Sequence, residues 1–275
     1  MHPTPPLVLV FAANDPSAGT GLAADLTTLS SLGCYALPIV TALTVQDTAG
    51  LQEVLAIESD WVNEQARYVL EDMRVDAIKV GLAGSIENLA VIAEIVADYP
   101  DVPLVLDPVL EHSQRDEYST DEFAAALRDL LLPHSLIVCT NSSKARRLGS
   151  DDAEEQDDLP LDAAAGRLID RGCEYVLITG AQEQTSKVSN TLYSRHGRVR
   201  SDQWDRLPGR FHGSGATLSA ALAGALASGV ELSAAVHDAQ EYVYQTLSHA
   251  FRPGMGQMVP DRMFWARPEE TQQEQ

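Results

Sequence analysis

The 275-residue sequence is short of positive charge, of cysteine and of long unbroken apolar runs. Lysine and arginine number 19 against 40 aspartates and glutamates, which leaves a formal net charge of −21. A field of that sign repels nucleic-acid backbones and anionic membranes, and so excludes both as expected partners. It also repels an anionic substrate, so a phosphate site here needs a locally electropositive pocket or a bridging metal. The three cysteines, Cys34, Cys139 and Cys173, form neither a CxxC pair nor an even set. A reduced compartment suits them, each as a small buried apolar residue. No segment approaches the roughly 18 apolar residues of a membrane span, and Met1 to Pro6 lacks the basic, apolar pattern of a leader. A cytoplasmic protein is expected.

What is present is ordinary globular composition, 45% hydrophobic and 21% charged. The length sits near the upper limit for one core, so a single domain over residues 1–275 is expected, structured over about 8–266 with frayed ends. Short apolar runs recur at Leu7 to Phe11, Leu37 to Val40, Val75 to Val80, Pro103 to Leu106, Leu136 to Cys139 and Tyr175 to Ile178. Uniformly apolar runs of this length read as strands buried on both faces. Helical patterns fall between them, near Gly21 to Leu32, Asp60 to Met73, Ile86 to Ala97, Asp121 to Leu131 and Asp162 to Asp170. This alternation predicts an α/β fold, a doubly wound and mostly parallel sheet with helices on both faces. After Gly180 the pattern becomes a hairpin turning at His196-Gly197, then two long helices, Gly215 to Ser228 and Leu232 to Ala250. The acidic run Asp151 to Asp158 reads as a solvated loop.

In such sheets ligands bind beyond the carboxyl ends of the strands, so the segments that follow the strands carry the chemistry. Gly19-Thr20-Gly21-Leu22-Ala23-Ala24 matches a dinucleotide fingerprint only in letters. Its first glycine lies seven residues past the strand, and no acidic residue ends the second strand, so the glycines read better as a tight loop against the sheet. His212-Gly213-Ser214-Gly215 is more informative, because it runs straight into a helix of small residues. Glycines let successive backbone N–H groups face one concavity, and a helix start adds unpaired N–H groups, together an anion cradle. The plainer alternative is a helix start capped by Ser214.

Four stretches occur in order: Asn14-Asp15-Pro16-Ser17 with Gly19, Gly21 and Asp25; Thr41 to Thr48; Leu106-Asp107-Pro108-Val109; and His212 to Leu218. With the closing Pro253-Gly254-Met255-Gly256-Gln257, the chain resembles the hydroxymethylpyrimidine and phosphomethylpyrimidine kinases of thiamine biosynthesis, within the ribokinase-like superfamily. The resemblance implies transfer of phosphate from ATP, with Mg²⁺, to the hydroxymethyl group of an aminopyrimidine and then to its monophosphate. By match, Asp25 and Gln46 would hydrogen-bond the pyrimidine, and Leu82 and Val109 would form its apolar wall. Asn141 and Thr179 would lie along the ATP, and Gly213, Ser214, Gly215 and Ala216 would stand at the transferring phosphate. A homodimer is also implied, and no metal ligand is assigned.

The sequence departs from that pattern at the same rim. Ala216 stands where the family has a cysteine beside the acceptor hydroxyl, and a methyl group cannot accept a proton. Lys144 replaces a glutamate in an Asn-x-x-Glu motif, and an ammonium disfavours a nearby divalent cation. Ala13 and Ala18 replace glycines, and Glu111 to Asp116 contains none. Three readings stay open: a kinase of reduced activity, a non-catalytic pyrimidine-binding or regulatory protein on the same fold, and a kinase for another hydroxymethyl heterocycle. His212 is a candidate substitute base, though a loop-fixing hydrogen bond explains it more simply.

Overall fold

A computed structural model describes residues 4–110, 120–150, 158–183 and 185–267. Glu111 to Asp116, the acidic run up to residue 157 and the tail from Glu269 lie outside the described residues. Among the described residues nine strands form one sheet in the order β3-β2-β1-β4-β5-β6-β7-β8-β9. The ranges are β1 Leu7–Asn14, β2 Tyr35–Gln46, β3 Leu51–Ala56, β4 Ala77–Val80, β5 Leu104–Leu106, β6 Ile137–Asn141, β7 Tyr175–Thr179, β8 Lys187–Ser194 and β9 Gly197–Asp205. The six strands from β2 to β7 in that order run parallel, and β3 and the β8–β9 hairpin attach antiparallel at the two edges.

Alternation along β1 shows why this sheet needs cover on both sides. Leu9 and Phe11 join one buried cluster, while Val8, Val10 and Ala12 join the other. The first cluster is closed by α2 (Ser59–Asp72), α3 (Ile86–Asp98), α4 (Asp121–Leu130), α5 (Ser142–Gly149) and α6 (Leu161–Asp170). The second is closed by α1 (Gly21–Ser31), α7 (Ser214–Ala227) and α8 (Leu232–Ser248). Helix α7 is buried continuously from Ala216 to Gly224, so its small residues bring its axis close to the strands. No described helix is long and apolar enough to cross a membrane.

The expected strands and helices are present, with four differences. Strand β2 runs on through Thr41–Gln46, where a loop was expected, and pairs there with β3, which the apolar pattern does not reveal. The cause is exposure: Leu43, Val45 and Leu55 face outward in this ribbon, while Gln52 and Glu53 break the apolar run. Helix α5 was also unassigned, because SSKARRLG is short and polar. The hairpin turns at Arg195-His196, one residue earlier than expected, with Gly197 at φ 92° opening β9. Helix α7 starts at Ser214 and is capped by Gly213 rather than by Ser214.

Candidate active site

The parallel strands end on one rim. Asn14, Gln46, Asn141 and Thr179 close β1, β2, β6 and β7, while Gly81-Leu82 follow β4 and Asp107 to Val109 follow β5. Chain order reverses between β1 and β4, which opens a crevice at their carboxyl ends. Helix α7 meets the rim there, and Ser219 Oγ donates to Asp107 Oδ2 at 3.2 Å.

The start of α7 has the form of an anion cradle. Gly213 is left-handed at φ 86°, and no side chain caps the helix. The first helical bond runs from Thr217 N to Gly213 O, 3.0 Å, so the Ser214, Gly215 and Ala216 N–H groups have no acceptor within the helix. A β-carbon on Gly213 would collide with the Gly19 carbonyl, so no other residue fits without moving the first loop. The Ala216 methyl is buried in the first turn and offers neither donor nor acceptor.

The loop after β1 is built on Asp15. Its Oδ1 accepts from Ser17 N at 2.8 Å and Ser17 Oγ at 2.7 Å, and its Oδ2 accepts from Thr20 N at 2.8 Å. His212 Nε2 lies 3.1 Å from that same Oδ2. Burial alone would raise the Asp15 pKa, but bonds from His212, Ser17, Thr20 and Gln46 outweigh it and hold the carboxyl well below its usual range. His212 is thereby engaged in fixing the loop. Gly19 lies flat against the His212 ring and Gly21 (φ 58°) against the Ala13 carbonyl. These glycines serve close packing, as the tight-loop reading expected. Ala18 carries φ 57° with a side chain, a conformation that costs an alanine about 1–2 kcal/mol.

Beneath the crevice lies a buried ion pair, Lys79 Nζ to Asp25 Oδ2 at 2.8 Å, with both side chains essentially inaccessible. Asp25 Oδ1 has no partner. Burial pushes the Asp25 carboxyl up, Lys79 pulls it down and Asp107 raises it again. Asp25 thus sits under the rim, engaged by Lys79, whereas Gln46 is half-buried on the rim and bonds Asp15. Leu82 and Val109 are half-buried beside the crevice, and Thr41 Oγ1 donates to the Leu82 carbonyl at 2.5 Å. Asn141 caps α5, its Oδ1 accepting from Lys144 N at 2.9 Å, and lies opposite Thr179 in the β6–β7 register. The structure brings Gln46, Leu82 and Val109 to one end of the rim and Asn141 with Thr179 to the other, and it leaves Asp25 beneath the rim, buried against Lys79.

Four residues that sequence reasoning did not assign matter here. Lys79 was visible as the one positive charge within the run Val75 to Val80, three residues after Asp76. Asp15 lay inside a quoted motif without a role. Arg206 binds the carbonyls of Ala181, Glu183 and Thr185 and so pins the loop after β7. Arg262, from a segment without periodicity, reaches Thr217, Ala18 and Gly19. Among the described residues no group of three or more His, Cys, Asp or Glu could hold a metal ion. The N–H groups without an acceptor in the helix suit phosphate oxygens; the described side chains do not build a metal cage of their own.

The family model for phosphomethylpyrimidine kinase matches residues 15–261. The hydroxymethylpyrimidine/phosphomethylpyrimidine kinase of Escherichia coli is 31% identical over 88% of this chain and 91% of its own length. The Staphylococcus aureus pyridoxal kinase solved with pyridoxal is 25% identical, with TM-score 0.83 over 96% of each chain. A Clostridium difficile phosphomethylpyrimidine kinase structure is 26% identical, with TM-score 0.70 over 86% of this chain and 97% of its own.

Proposed function

Because this chain belongs to the phosphomethylpyrimidine kinase family, we propose that it transfers the terminal phosphate of ATP to 4-amino-5-hydroxymethyl-2-methylpyrimidine and to its monophosphate in thiamine biosynthesis. The observation that carries this reading is the start of α7, with three first-turn N–H groups at the rim and Gly213 as a cap no larger residue can replace. In the reaction the acceptor oxygen bonds the terminal phosphorus as the bond to the ADP oxygen breaks, and the acceptor proton passes to solvent or a nearby base. Such transfers depend on positioning and on neutralising charge spread over the phosphoryl oxygens. Ser214, Gly215 and Ala216 N–H would stabilise those oxygens, a term that survives the missing cysteine. Gln46 would orient the aminopyrimidine from the rim, Asp25 would act from below with Lys79, and Leu82 and Val109 would wall the ring. Asn141 and Thr179 would line the nucleotide end. Mg²⁺ would arrive with ATP, held by phosphate oxygens and water.

The protein acts as a single kinase domain in the cytoplasm and pairs with a second copy. The pairing surface is the β2–β3 ribbon, where Leu43 and Leu55 face each other across the strands and Val45 lies beside them, all exposed. Steady-state ADP release with the pyrimidine and Mg-ATP, beside calorimetric titration of each ligand, tests this reading. Pyrimidine binding without any turnover would leave the non-catalytic alternative.

One observation favours a second acceptor. The backbone matches the pyridoxal-bound kinase at TM-score 0.83, against 0.70 for the phosphomethylpyrimidine kinase, at nearly equal identity. Pyridoxal also presents a hydroxymethyl group on a flat nitrogen heterocycle. The same assay with pyridoxal decides it: a kcat/KM within tenfold of the pyrimidine value supports dual use, and no turnover removes it.

A further inference from the structure

Arg262 lies beyond the bridges that join Phe211 to Met258 and Phe251 to Val259, and it is almost wholly buried. Its main chain is fixed from α8: Tyr242 Oη donates to the Arg262 carbonyl at 2.8 Å, and Asp261 N donates to the Thr246 carbonyl at 3.0 Å. The guanidinium then crosses to the phosphate end of the rim. Nη2 donates to the Gly19 carbonyl at 2.5 Å, Nη1 to the Ala18 carbonyl at 3.4 Å and Nε to Thr217 Oγ1 at 3.0 Å. Thr217 Oγ1 in turn donates to the Gly213 carbonyl at 2.9 Å. One planar fork thus ties the first loop to the first turn of α7, and its Nη2 would stand 3.0 Å from a β-carbon on Gly213.

These three acceptors are neutral. Asp25 and Asp15 act on Arg262 through space, but Asp25 is already paired with Lys79 and Asp15 is saturated by Ser17, Thr20 and His212. Burial draws the Arg262 pKa down to about 10, with Asp25, Tyr242 and Asp15 opposing, so the group stays cationic at neutral pH. A buried charge held only by neutral groups is costly unless a counter-charge completes it. In a chain of net charge −21, an anion approaching a cradle made only of amides would also meet a repulsive field.

We propose that Arg262 is a positioning residue for the anion cradle: it sets the Gly19 loop against the start of α7 and supplies the positive field that lets the cradle accept the phosphate chain of a nucleotide. This inference rests on the kinase reading. It assigns Arg262 to the nucleotide and leaves the pyrimidine to other residues.

The test is calorimetric titration of ADP and, separately, of the pyrimidine into the wild type, Arg262→Gln and Arg262→Lys at low and high salt, with melting curves for each. Gln keeps polar reach without charge; Lys keeps the charge without the fork. The expected result is ADP affinity at least tenfold weaker in Gln, with a flatter salt dependence, substantial recovery in Lys, and pyrimidine affinity within twofold throughout. In kinetics, KM for ATP rises in Gln more than KM for the pyrimidine. Unchanged ADP affinity in Gln overturns the proposal, as does a parallel loss of both ligands in Gln and Lys, the mark of a purely structural role. A wild type that binds no ADP sinks the kinase reading as well, whereas wild-type binding with an indifferent Gln variant sinks this inference alone.

Discussion

His212 Nε2 and Asp15 Oδ2 meet at 3.1 Å across 197 residues of chain, joining the loop after β1 to the turn that launches α7. That hydrogen bond links the first and last thirds of the sequence directly before the start of α7.

That contact sets an acid limit. Asp15 is held below its ordinary value of 3.8 in the fold, so the unfolded chain binds its proton more readily. The stability it contributes is complete above the unfolded value and is lost as pH falls below it towards the folded value. Asp15→Asn should lower the melting temperature at pH 7 and flatten the acid limb between about pH 5 and 2. Parallel limbs for the two proteins would contradict this.

Ala18 occupies a left-handed conformation that glycine adopts freely. Ala18→Gly relieves about 1–2 kcal/mol of strain against an unfolded-state entropy cost of about 0.4–1 kcal/mol. Chemical denaturation should therefore show a gain of roughly 0.5–1 kcal/mol. A loss would contradict this.

The Asp25–Lys79 pair is built for a double-mutant cycle. Lys79→Met strands the Asp25 carboxyl in the interior and should cost about 3–5 kcal/mol in urea unfolding. Adding Asp25→Leu should recover part of that loss, because an apolar pair leaves no buried charge. If the double variant is less stable than Lys79→Met, the two side chains are not acting as a pair.

How far the sequence disclosed this fold can be read from those residues. The interior strands were legible because β1, β4, β6 and β7 are buried on both faces and are mostly apolar, with Lys79 the buried exception in β4. Ribbon β3 was not, because its apolar residues face outward and mimic the pattern of a loop. The cradle was visible from its glycines, since Gly213 leaves little choice of backbone. Arg262 was invisible: its partners are backbone carbonyls, which any sequence supplies, and its position depends on α8.

Placing at position 216 the thiol that the family resemblance implies tests the chemistry directly. Ala216→Cys places a polarisable group in the first turn of α7 beside the cradle. A positioned acid–base group contributes about 10²–10⁴-fold, so kcat with the pyrimidine should rise by about tenfold or more, with KM for ATP little changed. An unchanged kcat would assign proton removal elsewhere, with His212 the next candidate to mutate.

The exposed ribbon gives a prediction about assembly. Leu55→Asp puts a charge opposite Leu43 at the centre of the apolar face. If the wild type sediments as the proposed dimer, Leu55→Asp should sediment as monomer, with melting temperature nearly unchanged. A wild type that sediments as a monomer removes this surface from consideration.

The fork of Arg262 also dictates a timetable. Its anchor on the Gly19 carbonyl lies 243 residues upstream. At translation speeds of about 5–20 residues per second, the first loop waits about 12–50 s for the residue that completes it. During that interval the ribosome-bound chain can form its central strands, but the phosphate end of the rim stays unassembled. Release of the last segment is therefore the event that fastens the first loop to the start of α7.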